Sequence, residues 1–255
     1  MTLLPEGIGA VAAVAVIVSS FFTAAVTAAF GIGGGLLLLA IMGGALPPLA
    51  VVPVHGVAQL ASNTSRLAIL RRDVVWPAIG WFVVGSMIGA TIGAKVYVSL
   101  PPWLLRLGVG VFVLVTTWGP KPAAFQPGPR TFAGVGAVGS FLSMFFGATG
   151  PIAAAMLAAT GWDRMRVVAT HAAAMTAQHG IKSLAFGAIG FTFAPWAAII
   201  TGIVVAGVAG SWVGARILKR LPEATFQRGF KLALTVAATY LIVRGLIDAS
   251  AARAE

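Results

Sequence analysis

The sequence predicts an all-α integral membrane protein made of two inverted-topology repeats, each of about five helical segments and each holding a glycine-broken short helix. Three observations carry this. First, 59% of the 255 residues are hydrophobic and only 9% are charged, far more apolar residues than a soluble domain can place inside. Second, apolar runs of about 20 residues follow one another, each long enough to cross a hydrocarbon core of roughly 30 Å. Third, the chain repeats itself. A shift of 116 positions superposes Phe30-Gly31 on Phe146-Gly147, His55 on His171 and Arg66 on Lys182 without a gap. The match resumes after small insertions, pairing Gly89-x-x-x-Gly93-Ala94-Lys95 with Gly210-x-x-x-Gly214-Ala215-Arg216. A repeat this long is not a solenoid period, and duplicated halves of this size are a common construction of membrane proteins that alternate between two faces.

The first helix is expected from Ile8 to Phe30, and Glu6 with no basic residue ahead of it argues that this segment is kept rather than cleaved. The glycines of Gly31-Ile32-Gly33-Gly34-Gly35 stop it, because so many make a continuous helix costly. Gly34 to Ala45 is apolar but short: about a dozen residues at 1.5 Å each reach about 18 Å, little over half the bilayer core. A third helix follows from about Leu49 to Leu70, then the loop Arg71-Arg72-Asp73, a fourth helix over about Val74 to Val98 and a fifth over about Trp103 to Trp118. Gly119 to Arg130, rich in proline, reads as the linker, dividing the chain into a first repeat (1–118), a linker (119–130) and a second repeat (131–255). The second half repeats the plan with Thr131 to Phe146, a glycine break, a short helix from Pro151 to about Thr160, and helices near Met165 to Ala188, Ala194 to Leu218 and Ala224 to Leu246. Trp76, Trp103, Trp118, Trp162 and Trp196 fall at segment ends, where an interfacial belt would put them.

The net charge of +11 does not signal nucleic-acid binding, because the Lys and Arg residues sit in pairs between apolar runs rather than along one polar face. They arbitrate topology instead. With Arg66 and Lys182 set aside as intramembrane, four crossings per half would split the other basic residues six against nine. Five segments per half put eleven on one side and leave only Lys95, Arg106, Arg244 and Arg253 on the other. The positive-inside rule favours five plus five, with the linker in the cytoplasm and both termini outside it. An odd number of segments inverts the second copy. Gly85-x-x-x-Gly89-x-x-x-Gly93 and Gly210-x-x-x-Gly214 would let neighbouring helices approach closely.

The residues able to carry chemistry lie on the third and eighth helices. His55, Gln59, Ser62, Asn63 and Arg66 share one helical face, and His171, Met175, Gln178, His179 and Lys182 repeat the pattern. Such a stripe is expensive toward lipid and should face the interior. Snorkelling to the headgroups is the bland alternative for Arg66 and Lys182, and hydrogen-bonded packing is the better reading for His179, which has no histidine counterpart in the first half. All six acidic residues, Glu6, Asp73, Asp163, Glu223, Asp248 and Glu255, fall at segment ends, in loops or at termini. With no intramembrane carboxylate, cation coordination or an acidic proton relay is disfavoured, and what remains inside suits an anion. A short helix starting at Gly34 or Pro151 adds its free N–H groups and positive dipole end. Pro151 suits a first turn, where no N–H is needed. The glycine run is no nucleotide loop, since no strand precedes it and no Lys-Ser/Thr follows. Candidate anion-contacting residues are therefore Arg66, Lys182, His55, His171, Gln59, Ser62, Asn63 and Gln178, with Gly33, Gly34, Gly35, Thr149 and Gly150 at the two breaks. Nothing in the chain calls for a cofactor or metal, and without cysteine there is neither a disulfide frame nor a thiol nucleophile.

Phe30-Gly31-x-Gly33-Gly34-Gly35 after a first apolar helix, the His/Ser/Asn/Arg helix behind it, and a looser second copy resemble the sulfite exporter TauE/SafE family of membrane permeases. The resemblance spans nearly the whole chain. It implies a multi-pass protein of the cytoplasmic (inner) membrane that carries small sulfur-containing or organic anions such as sulfite, sulfonates or sulfoacetate. The second copy departs from the glycine triplet, reading Gly147-Ala148-Thr149-Gly150, so the two breaks need not contribute equally. The partners to expect are a small anion, the lipid bilayer, protons if transport is coupled, and a second copy of the chain if it dimerises. The competing classes are a passive anion channel, a permease for a non-sulfur organic anion, a membrane enzyme and a structural subunit. The enzyme lacks a metal cluster, a carboxylate pair or a Ser/His/Asp set, and two intramembrane cations would be wasteful in a structural subunit.

Overall fold

The computed structural model describes residues 4–30, 34–97, 100–119, 127–217 and 223–252. Among these residues every regular element is helical. The order is α1 (Ala10–Phe30), α2 (Gly34–Ala45), α3 (Pro48–Leu70), a 3₁₀ turn (Arg71–Asp73), α4 (Trp76–Tyr97), α5 (Pro102–Trp118), α6 (Pro129–Phe146), α7 (Gly150–Ala158), α8 (Arg164–Ala188), a second 3₁₀ turn (Ala194–Trp196), α9 (Ala197–Ile217) and α10 (Glu223–Ala251). Proline opens α3, α5 and α6 and stands in the first turn of α7, where a missing N–H costs nothing and the fixed φ suits a helix. Asp163 caps α8, its side chain accepting from the Met165 and Arg166 amides at 3.0 Å. Four of the described helices are long and apolar enough to cross a membrane, over Ala10–Thr27, Trp76–Tyr97, Ala194–Gly214 and Leu234–Ala251. Helices α3 and α8 are just as long, but the polar stripe dilutes their apolar character. The protein is therefore an all-helical, multi-pass membrane protein.

The chain gathers into two compact units, and each takes helices from both halves of the sequence. One unit comprises residues 1–55, 100–119 and 192–255, the other 56–99 and 120–191. In the first, α1 packs on α9, α5 on α10, and α2 against α1 and α10. In the second, α4 packs on α6 and α8, with α7 on α6 and α8.

The glycine ladders are the seams of these pairs. A Cβ on Gly85 or Gly89 of α4 would stand 1.8 and 1.9 Å from the Ala133 and Ala137 carbonyls of α6, so the helices touch backbone to backbone. In the other unit a Cβ on Gly210 or Gly214 of α9 would stand 1.9 and 2.3 Å from the Phe21 and Ala25 carbonyls of α1. Phe21 and Ala137 are repeat equivalents, as are Gly210 and Gly89. The two seams thus match position for position, each joining the first helix of one repeat to the fourth helix of the other. A serine is traded across the match. Ser20 of α1 donates to the Ile203 carbonyl at 2.8 Å beside Gly207, whereas in the other pair Ser86 of α4 faces the Gly136 carbonyl.

Two expectations are corrected. Trp196 is buried at 8% exposure, inside the turn that opens α9, and is no belt residue; Trp76 and Trp118 are exposed as expected. Helix α10 runs on to Ala251, so Asp248 lies inside it rather than beyond its end. There it forms an ion pair with Arg106 of α5, and pairing lets a carboxylate sit within a helix of this kind.

Candidate functional site

The break between α6 and α7 lies in the second unit, within the described residues. Gly147 ends α6 with φ +73°, a left-handed conformation open to glycine, while its amide still bonds the Ser143 carbonyl at 3.0 Å. The turn leaves the Gly147 carbonyl pointing at Lys182 of α8, whose ammonium donates to it at 2.7 Å. Lys182 is 1% exposed, and the only ion pairs among the described residues are Arg106–Asp248 and Arg166–Asp163. It is a buried lysine with no carboxylate partner among the described residues, held by a neutral carbonyl. One turn earlier on α8, Gln178 donates to the Thr149 hydroxyl at 2.5 Å, and Thr149 in turn donates to the Gly139 carbonyl of α6 at 3.0 Å. His171 donates through Nε2 to the Gly150 carbonyl at 3.1 Å, in the first turn of α7; because a carbonyl only accepts, the proton lies on Nε2. Three residues of the second-half stripe and both predicted break residues, Thr149 and Gly150, thus converge on one turn of chain.

The first half repeats the histidine contact in the other unit, where His55 Nε2 donates to the Gly35 carbonyl at 2.9 Å. Gly34 lies so close to α1 that a Cβ would stand 1.8 Å from the Thr23 carbonyl and 2.3 Å from the Thr27 hydroxyl, which is why a glycine is needed there. Gly33 lies outside the described residues. On α3, Asn63 is buried and turns its amide onto the Gln59 backbone carbonyl at 2.8 Å, while Gln59, Ser62 and Arg66 are half-buried. His179 is buried at 3% exposure, in line with a packing role.

Within the second unit α3 and α8 run antiparallel. A Cβ at Gly56 would meet the Lys182 side chain at 2.9 Å and one at Gly180 would meet Leu60 at 3.7 Å, and the Arg66 guanidinium is near enough to His171 to act on it electrostatically. Residue numbers rise along one helix as they fall along the other. Arg66 and Lys182 therefore lie toward opposite ends of the stretch over which the two helices meet.

Sequence reasoning missed Ser140 and Ser143 of α6, which are fully buried and whose hydroxyls have no hydrogen-bond partner. It also missed the roles of Gly56, whose bare backbone leaves room for Lys182, and of Gly139. The signal was present: Thr27 and Ser143 each place a hydroxyl three residues before the Phe-Gly that opens a break.

The fold and the site together define a multi-pass helical membrane protein with a buried lysine beside the break between two helices. The family model for the sulfite exporter TauE/SafE matches residues 16–241, and the chain belongs to that family. Neither characterised proteins nor solved structures give a significant match.

Proposed function

We propose that the protein is a secondary transporter that moves a small anion, a sulfur oxyanion or organosulfonate such as sulfite or sulfoacetate, across the cytoplasmic membrane by alternating access. The observation that carries the reading is Lys182. An interior cation without an acidic partner costs at least about 2.5–3.5 kcal/mol on insertion scales. A bound anion offsets part of that cost, which gives the site a reason to exist that packing does not. The carbonyl of Gly147 holds the ammonium in place but uses one of its three donors.

Alternating access draws support from the repeat. Equivalent helices α3 and α8 cross antiparallel, as inverted halves require, and the matched α1/α9 and α4/α6 seams exchange elements between halves. With the charge asymmetry, these features favour five plus five segments and termini outside the cytoplasm. The test is a binding screen of the purified protein against sulfite, sulfate, thiosulfate, sulfoacetate, taurine and small carboxylates, followed by flux in proteoliposomes. A carrier gives saturable flux with counterflow; flux that neither saturates nor shows counterflow would make the protein a channel.

A further inference from the structure

We infer that Ser143 is a second anion-binding group, so that the ligand is an oxyanion whose head carries at least two acceptor oxygens, one for Lys182 and one for the Ser143 hydroxyl. The inference rests on the reading of Lys182 as the anion's charge partner. It starts from a hydroxyl that departs from a local rule. Serines and threonines inside helices can satisfy their hydroxyl on the carbonyl four residues back, and several in this chain do: Thr27 bonds Thr23, Ser65 bonds Ala61, Thr91 bonds Met87 and Thr176 bonds Ala172, at 2.8–3.0 Å. Ser143 does not, although it is the repeat equivalent of Thr27 and is 0% exposed.

The reason is visible in its surroundings. Its carbonyl four residues back belongs to Gly139, which, besides its place in the helical ladder, takes the Thr149 hydroxyl at 3.0 Å and is approached by the Gln178 amide at 3.5 Å. A carbonyl has two lone pairs, and those of Gly139 are taken. Ser143 also shares its face of α6 with Gly139, being one turn on. A Cβ at Gly139 would lie 3.8 Å from both Gln178 Oε1 and Thr149 Oγ1, so that face looks toward the break. At the same turn, the Ser143 carbonyl receives the amide of Gly147, the residue that Lys182 grips. A buried hydroxyl proton and the remaining ammonium protons are thus brought to one break, and both ask for an acceptor. Donors without acceptors recognise an anion, and two separate donor centres favour a polyatomic oxyanion over a halide. The Gln178–Thr149–Gly139 chain is saturated and acts as a fixed wall.

The test is isothermal titration of the purified full-length protein with sulfite and with sulfoacetate, using chloride as the single-atom control, for wild type, Ser143→Ala, Ser143→Thr and Lys182→Met. Ser143→Ala should weaken binding of the oxyanion about tenfold or more while leaving chloride unchanged, and Ser143→Thr, which keeps the hydroxyl, should restore it. Because the hydroxyl is unpaired without ligand, the melting temperature of ligand-free Ser143→Ala should hold or rise. Unchanged oxyanion affinity in Ser143→Ala, or a lower ligand-free melting temperature, overturns the inference. If Ser143→Ala binds normally while Lys182→Met does not, only Ser143 is removed from the site. Wild-type affinity in Lys182→Met, or no binding of either oxyanion to the wild type, overturns the anion site as well.

Discussion

Replacing Lys182 by methionine separates a transport site from a structural lysine, because the two readings predict opposite responses of the ligand-free and ligand-bound protein. Methionine keeps an unbranched chain of similar length but removes the charge and the bond to the Gly147 carbonyl. Two terms then compete in the empty protein. Removing an unneutralised interior cation relieves at least about 2.5–3.5 kcal/mol on insertion scales, whereas leaving a buried carbonyl unsatisfied costs about 1–3 kcal/mol. The sum lies near zero or slightly stabilising, so the ligand-free melting temperature should stay within a few degrees of wild type or rise. Binding has no such compensation. Losing a charged donor to an anion costs about 1.5–3 kcal/mol, or more for a fully buried pair, so affinity should fall at least about tenfold and as much as several hundredfold. Lys182→Arg preserves the charge but must fit a planar guanidinium where the lysine stem already fills the space over Gly56, and it too should bind more weakly. The assay is a thermal shift and a titration with sulfite and sulfoacetate in detergent. A Lys182→Met protein that melts well below wild type and binds both anions unchanged refutes the argument and makes Lys182 a structural tether.

The other predictions test topology, the seams and the histidines. Single cysteines are easily read in a chain that has none: those placed in the 119–130 linker should resist impermeant reagents in intact cells, while one near the C-terminus should be labelled, and labelling of both would sink the inverted arrangement. Gly89→Leu should abolish folded protein in a size-exclusion assay, since even its Cβ would stand 1.9 Å from the Ala137 carbonyl; Gly134→Ala, with nothing within 4 Å, should be neutral or slightly stabilising. If transport is coupled to protons, the histidines to test are His55 and His171, which bond the first turns of the two short helices, and the double replacement His55→Gln, His171→Gln should remove pH-dependent accumulation. Full retention of that dependence in the double variant would assign coupling to other groups.

What the sequence disclosed and what it withheld divide along physical lines. Helix positions were legible, because each is bounded by proline, glycine or a change of polarity; the short α2 was expected at Gly34 to Ala45 and is found there. The Gly-x-x-x-Gly ladders announced close contact, but not between which helices. Partner choice depends on the surfaces of both, and neither ladder names Ala137 or Phe21 as the backbone it meets. The stripe on α8 was legible as polar residues at helical spacing, and Lys182, Gln178 and His171 do converge on the break. The stripe on α3 has the same spacing, yet Asn63 spends its amide on its own helix. Spacing fixes the face a residue occupies, whereas competition among nearby acceptors decides what its protons do. Ser143 shows the same point from the other side. Its sequence neighbourhood resembles that of Thr27, which bonds its own helix at 3.0 Å. The arrival of Thr149 and Gln178 at the Gly139 carbonyl, from 10 and 39 residues away, takes that acceptor from the serine. The departure of the second copy from the glycine triplet, which brings in Thr149, is what occupies the Gly139 carbonyl and denies the Ser143 hydroxyl that acceptor.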